Sequence, residues 1–212
     1  MSIFPNYTIL KGWNYMGKIF CVMGKSATGK DTIYQKLLTE SHIKFERIIP
    51  YTTRPIREGE IPGREYHFCE EADVKRLEDE GRIVELRAYD TVYGIWKYFT
   101  VDDGNIQLDK FNYLLIGTLE AYTKIRDYFG TDKTVPIYIE VEDGERLLRA
   151  ISREKSQDTP KYEEMCRRFL ADAKDFSEEN LVVAGIEKRF VNVELTDTIR
   201  KVEAYIQTEL EN

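Results

Sequence analysis

The sequence predicts an α/β domain built on a parallel core sheet, and three observations carry that prediction. A short apolar run over residues 18–23 is closed by Gly24 and followed by a helical stripe through Ile33, Leu37 and Leu38. Two further compact apolar runs, 112–117 and 134–141, each precede a helical pattern, at 119–128 and 144–151. The chain of 212 residues, 42% hydrophobic, can also bury one sizeable core without disulfides or metal staples.

In chain order, the first run reads as strand, glycine loop and helix. Arg47–Thr53 reads as extended, and Pro50, Pro55 and Pro62 exclude a helix until Tyr66–Cys69, a second strand. Val74 and Leu77, three apart among charges, predict a short helix from Glu71 to Glu80 that stops at Gly81. Strands are expected at 82–89 and 93–100. After the two strand–helix pairs, the arginine-rich stretch 143–177 is broken by Ser156–Pro160, which predicts a mobile helical hairpin. Ile199, Val202 and Ile206 place a last helix in 196–210.

A formal net charge of −7 leaves no broad basic face for gripping a nucleic-acid backbone, so no nucleic-acid partner is expected. No apolar run approaches the roughly 18 residues of a membrane span, and no membrane partner is expected. Pro5, Asn6, Lys11 and Asn14 interrupt the place of a secretory apolar region, so no targeting signal is expected, and residues 1–15 read either as a short extension or as the product of a misplaced start codon. Cys21, Cys69 and Cys166 form no CxxC pair, which points to a reduced, cytoplasmic setting. His42 and His67 have no partner spacing for metal or acid–base work and read as structural.

The segment Gly24, Lys25, Ser26, Ala27, Thr28, Gly29, Lys30, Asp31 and Thr32 has the two glycines and the lysine of a phosphate-binding loop, in the strand-to-helix context that motif requires. Glycines let backbone N–H groups and the helix N-terminus face a polyphosphate, and the lysine ammonium reaches its terminal phosphates. Asp31 stands where such loops carry a hydroxyl for magnesium. In a second segment, Arg54 and Arg57 flank a proline and present two forks suited to a phosphate, and Tyr66 can add a phenolic donor.

That second segment, residues 52–68, resembles the signature of guanylate kinases, Thr-Thr-Arg-x-x-Arg-x-Gly-Glu-x-x-Gly-x-x-Tyr-x-Phe, at every fixed position. The resemblance implies a P-loop nucleoside-monophosphate kinase fold forming one domain over residues 1–212. Its core would be residues 18–50, 100–142 and 178–212, its small β-rich monophosphate-binding subdomain 51–99, and its helical lid 143–177. It implies ATP-dependent phosphorylation of GMP, or dGMP, to GDP, with Mg²⁺ accompanying ATP. Arg54, Arg57, Tyr66 and Tyr93 would clamp the acceptor phosphate, with Glu85 against guanine. Lys30 and the lid arginines Arg149, Arg153 and Arg168 would stabilise the transferring group.

Departures from the family pattern stand beside these matches. Pro50, Tyr51 and Ile95 replace hydroxyl residues, and Leu115-Ile-Gly-Thr118 stands where the family carries Asp-x-Asp. Asp31 is therefore expected to join the magnesium shell. Two alternatives stay open: a kinase of the same fold acting on another nucleotide or a phosphorylated sugar, and a non-catalytic binding module that keeps the fold.

Overall fold

The structure is a computed structural model that describes residues 16–57, 59–91 and 94–211. Its centre is β1 (Ile19–Met23), buried at all five positions. Parallel neighbours flank it on both sides, β7 (Asn112–Ile116) and β8 (Thr134–Glu140), with Cys21 opposite both Leu115 and Pro136. Two short strands close the edges, β2 (Phe45–Arg47) beside β7 and β9 (Arg189–Val191) beside β8. The period-2 alternation of β1 feeds two cores. Phe20 and Val22 pack with Ile33 and Leu37 of α1 (Lys30–Glu40) and with Val202 and Ile206 of α7 (Leu195–Glu211). Ile19, Cys21 and Met23 pack on the other face with Tyr122 and Ile125 of α3 (Leu119–Phe129) and with Leu181 of α6 (Glu178–Val183). Burial at this centre pushes the Cys21 thiol up to about 12, so it behaves as a small hydrophobe.

A second, mixed sheet runs β4 (His67–Phe68), β3 (Tyr51–Thr52), β6 (Gly94–Val101) and β5 (Ile83–Thr91). One of its faces is apolar: Phe99 and Val101 pack against Val74 and Leu77 of α2 (Glu71–Asp79). His67 stacks on Tyr51 of that sheet with ring centroids 4.6 Å apart, a structural contact, and His42 is exposed. The opposite face carries Glu85, Arg87 and Tyr89 of β5 against Thr100, Tyr98 and Trp96 of β6. Two helices in mutual contact, α4 (Asp143–Lys155) and α5 (Tyr162–Asp175), form the arginine-rich segment.

The two strand–helix pairs lie where the apolar pattern puts them. Helix α4 extends a turn past the expected 151, with Arg153 and Lys155 in a last turn that favours cations. Neither α6 nor β9 is announced by periodicity, because six and three residues are too short to show one. The expected first residue of β6, Tyr93, and the expected extension 1–15 lie outside the described residues. Among the described residues no helix is long and apolar enough to cross a membrane.

Candidate nucleotide site

In the order β2-β7-β1-β8-β9, β1 leads into α1 on one face of the sheet and its neighbour β7 leads into α3 on the other, so connections leave to opposite faces at the carboxyl end of β1. Open α/β sheets bind ligands in that crevice. The loop after β1 depends on two glycines. At Gly24 (φ +153°) a Cβ would lie 2.3 Å from the Ile139 carbonyl oxygen, and at Gly29 (φ +83°) it would lie 2.6 Å from Asn192 Nδ2. Ala27 also sits in the left-handed region at φ 64°, a conformation held at a cost of about 1–3 kcal/mol where surrounding structure enforces it. Two bonds enforce it here: the buried Thr28 hydroxyl donates to the Lys25 carbonyl at 2.9 Å, and Asn192 Nδ2 donates to the Thr28 carbonyl at 2.8 Å. Gly29 gives α1 no capping side chain, which leaves its first-turn amides to a ligand. Lys30 Nζ lies 3.5 Å from the exposed Asp31 carboxylate, and Lys25 Nζ lies 3.3 Å from Asp143.

Beside the Lys25–Asp143 pair, helices α4 and α5 converge on one residue of this loop, Ser26. The Ser26 N–H donates to Asp172 Oδ2 at 2.7 Å, its carbonyl accepts from Arg146 Nη1 at 3.2 Å, and its hydroxyl accepts from Arg168 Nη2 at 3.2 Å. Arg146 is wholly buried, bonded to Asp143 at 3.0 Å and Asp172 at 3.4 Å, with its guanidinium 4.5 Å from the Phe169 ring centre. Its Nη2 is buried without a hydrogen-bond partner among the described residues. Of the three arginines expected here, only Arg168 reaches the loop directly. Arg149 bonds Glu145 at 2.9 Å and the Asn192 carbonyl at 3.3 Å, and Arg153 is exposed on α4. Arg146, Asp172 and Asn192 are thus site residues that sequence reasoning missed. The only signal for Arg146 was its place in an arginine-rich helix.

On the second sheet, Arg54 is 4% exposed and forms a two-pronged pair with Glu60, one prong at 2.8 Å. Its hydrogen bonds to Glu60 hold the guanidinium above its ordinary value against the opposing effect of burial, and the same bonds hold Glu60 below the usual carboxylate range. The Arg54 guanidinium also lies 5.1 Å from the Tyr66 ring centre and 5.5 Å from that of Phe68. Tyr66 packs edge-on to Tyr98, and Tyr98 edge-on to Tyr89, each pair 5.7 Å apart. Burial raises the Tyr66 phenol, which therefore stays protonated and able to donate. Arg57 is exposed, its N–H bonded to Glu60 at 2.7 Å. Tyr93 lies outside the described residues.

Glu85 is buried at the far end of this face and is not bare. Arg87 bonds it from two nitrogens, at 2.9 and 3.2 Å, and the Thr100 hydroxyl donates at 2.9 Å. Burial pulls the Arg87 guanidinium down, but the Glu85 carboxylate outweighs it and leaves the group above its ordinary value. Arg87 Nη1 also donates to Thr118 Oγ1 at 3.3 Å. That bond ties the second sheet to the cap of α3, just past the carboxyl end of β7 and beside the phosphate loop's own strand.

The family model described as Guanylate kinase matches residues 16–209. The chain is similar to the guanylate kinase of Caldanaerobacter subterraneus subsp. tengcongensis, 29% identical over 91% of this chain and 88% of the relative. It is also similar to that of Porphyromonas gingivalis, 26% identical over 88% of this chain and 95% of the relative. Its fold resembles the crystal structure of guanylate kinase from Anaplasma phagocytophilum at a TM-score of 0.63, with 20% identity over 94% of this chain and 89% of the other. A glycine loop after β1 and a polar sheet face built on Arg54, Tyr66 and Glu85 stand under a family match that runs nearly end to end, and the chain belongs to the guanylate kinase family.

Proposed function

We propose that this chain transfers the γ-phosphoryl group of ATP to GMP, making ADP and GDP. The observations that support the reading are an uncapped glycine loop at the end of β1 and a buried arginine fork on the second sheet, a sheet that Arg87 ties to the cap of α3 beside β1. Phosphoryl transfer asks for positioning and charge neutralisation, with no covalent intermediate on the protein. The amides of residues 24–32 and Lys30 hold the donor phosphates. Arg54, Arg57, Tyr66 and Tyr93 hold the acceptor phosphate, for which the Glu60 carboxylate stands in at Arg54. Arg168, with Arg149 and Arg153, belongs to the lid that closes over the transferring group and excludes water. The division into core, monophosphate-binding subdomain at 51–99 and lid at 143–177, and a cytoplasmic setting, are parts of the same proposal.

Among the described residues no cluster of three His, Cys, Asp or Glu could hold a resident metal ion. A magnesium ion arriving with ATP needs less, because it is commonly held by one or two carboxylates, waters and substrate phosphates. Asp31, exposed in the first turn of α1 beside Lys30, fits that donor set. When bound, the ion neutralises phosphate charge. Asp31→Asn is expected to raise the magnesium concentration needed both for half-maximal rate and for half-maximal thermal stabilisation by ATP, while Asp31→Ser recovers much of each. Superimposable titrations of the three proteins would remove Asp31 from the metal shell.

Arg54→Ala is expected to raise the acceptor KM by roughly 10–100-fold with ATP binding unchanged, since charge-assisted two-pronged bonds are about twice as strong as neutral ones. An unchanged KM would detach Arg54 from the acceptor phosphate. The function itself is tested by coupled detection of ADP with GMP, dGMP, AMP and a phosphorylated sugar as acceptors. ADP formation with the sugar but not GMP would overturn the proposal, as would failure to bind ATP.

A further inference from the structure

The Glu85 carboxylate is poorly placed to read two donors. A carboxylate offers about four lone-pair sites. Three of those on Glu85 are engaged, by Arg87 Nε, Arg87 Nη2 and the Thr100 hydroxyl, and its side chain is wholly buried. One acceptor site is left. A guanidinium has five N–H donors, and Arg87 directs two at Glu85 and one at Thr118. Two donors are left. The pair therefore keeps one acceptor site beside guanidinium donors, on the same face as Tyr89, Tyr98 and Tyr66, which lead to the Arg54 fork.

That pattern complements one edge of a purine. Guanine carries an acceptor at O6 beside a donor at N1–H, with its 2-amino donors beyond. Hypoxanthine has the same O6 and N1–H and lacks the amino group. Adenine inverts the edge, with a donor at N6 and an acceptor at N1. Reading both N1–H and the 2-amino group of guanine needs two free carboxylate sites, and the Arg87 clamp takes the second.

Resting on the acceptor reading above, we propose that Arg87 is a specificity-determining residue that makes this site read the O6/N1–H edge and leave the 2-amino group unread, so that inosine monophosphate is an acceptor alongside GMP. Where the family carries Asp-x-Asp this chain has Leu115-Ile-Gly-Thr118, and Arg87 Nη1 donates to the Thr118 hydroxyl.

The test compares kcat/KM for GMP, inosine monophosphate and AMP with Mg·ATP. A site that hydrogen-bonds a substrate group rejects the analogue lacking it by about 10⁴-fold or more, and one that ignores the group barely discriminates. Wild type is expected to use GMP and inosine monophosphate within about tenfold of each other, and AMP at least about 100-fold less well. Arg87→Met frees the second carboxylate site and is expected to raise the GMP preference over inosine monophosphate by at least about tenfold. Because Arg87→Met strands a buried carboxylate, Arg87→Lys serves as the folded companion. It keeps the charge and is expected to retain the wild-type order of the three acceptors. Wild-type rejection of inosine monophosphate by 1000-fold or so, or an unchanged preference in folded Arg87→Met, overturns the inference. Calorimetric binding of GMP and inosine monophosphate without ATP separates the two readings. Equal binding with no turnover of either sinks the kinase function and keeps the base-reading rule, whereas turnover of GMP alone sinks only the rule.

Discussion

Lys30→Ala is expected to abolish turnover, with kcat falling at least on the order of a hundred- to thousandfold, the usual loss when one preorganised charge donor is removed from a transferring group. Lys30 opens α1 directly after a glycine that supplies no cap, and its only ion pair among the described residues is with the exposed Asp31 at 3.5 Å. Such a pair contributes little to the fold, since exposed ion pairs are worth about 0–1 kcal/mol. The variant should therefore melt close to wild type and still fail in the coupled assay. Near-normal kcat in Lys30→Ala would sink the donor-site assignment, and an unfolded protein would show the lysine to be structural.

The largest effect on stability is expected from Arg146→Ala. Breaking a buried ion pair by removing one partner costs about 3–5 kcal/mol. Here Asp172 is 18% and Asp143 49% exposed, so water takes over part of the loss and about 2–3 kcal/mol remains. For a chain of this size that is a fall in Tm of about 5–10 °C, readable equally as a lower urea midpoint at unchanged slope. The exposed Arg153→Ala should cost within about 0.5 kcal/mol. Because Arg146, Asp172 and Arg168 converge on Ser26, kcat should fall as well, and Arg146→Lys should restore charge without restoring the three-way fork. Equal melting of Arg146→Ala and Arg153→Ala would mean that the buried guanidinium holds nothing.

The loop and its strand were legible because two independent signals coincide there: a motif that only certain backbone angles permit, and a period-2 apolar run that feeds two cores. The arginine-rich segment 143–177 was legible as helices and illegible in phase. Helix α4 buries Arg146, Ala150 and Glu154, a stripe of positions four apart, and leaves Leu148 65% exposed. Amphipathic reasoning turns that helix the wrong way, because what it docks against is the polar phosphate loop and not the apolar core. Glu154 is buried for a similar reason, accepting the Lys161 N–H at 2.9 Å to hold the turn between α4 and α5. The family resemblance pointed to Arg149 and Arg153, which a helical wheel cannot separate from Arg146. Glu85 was found by its motif, but its state was not, since Arg87 reads in sequence as an ordinary strand charge. The expected strand at 82–89 already puts both groups on one face, and only the fold shows that Arg87 turns back to clamp Glu85.

Asn192 has a consequence for the order in which the protein becomes competent. It holds the Thr28 carbonyl across 164 positions of chain and is itself placed by a backbone bond to Glu140, at the end of an edge strand of three residues. A ribosome delivers the phosphate loop early and the residue that shapes it near the end, so an emerging chain carries the motif long before it carries the binding site. Contacts this distant in sequence form late, after their closure entropy has been met. Nucleotide affinity is then gained in one late event, and it is lost again whenever β9 frays from β8, well before the core around β1 opens.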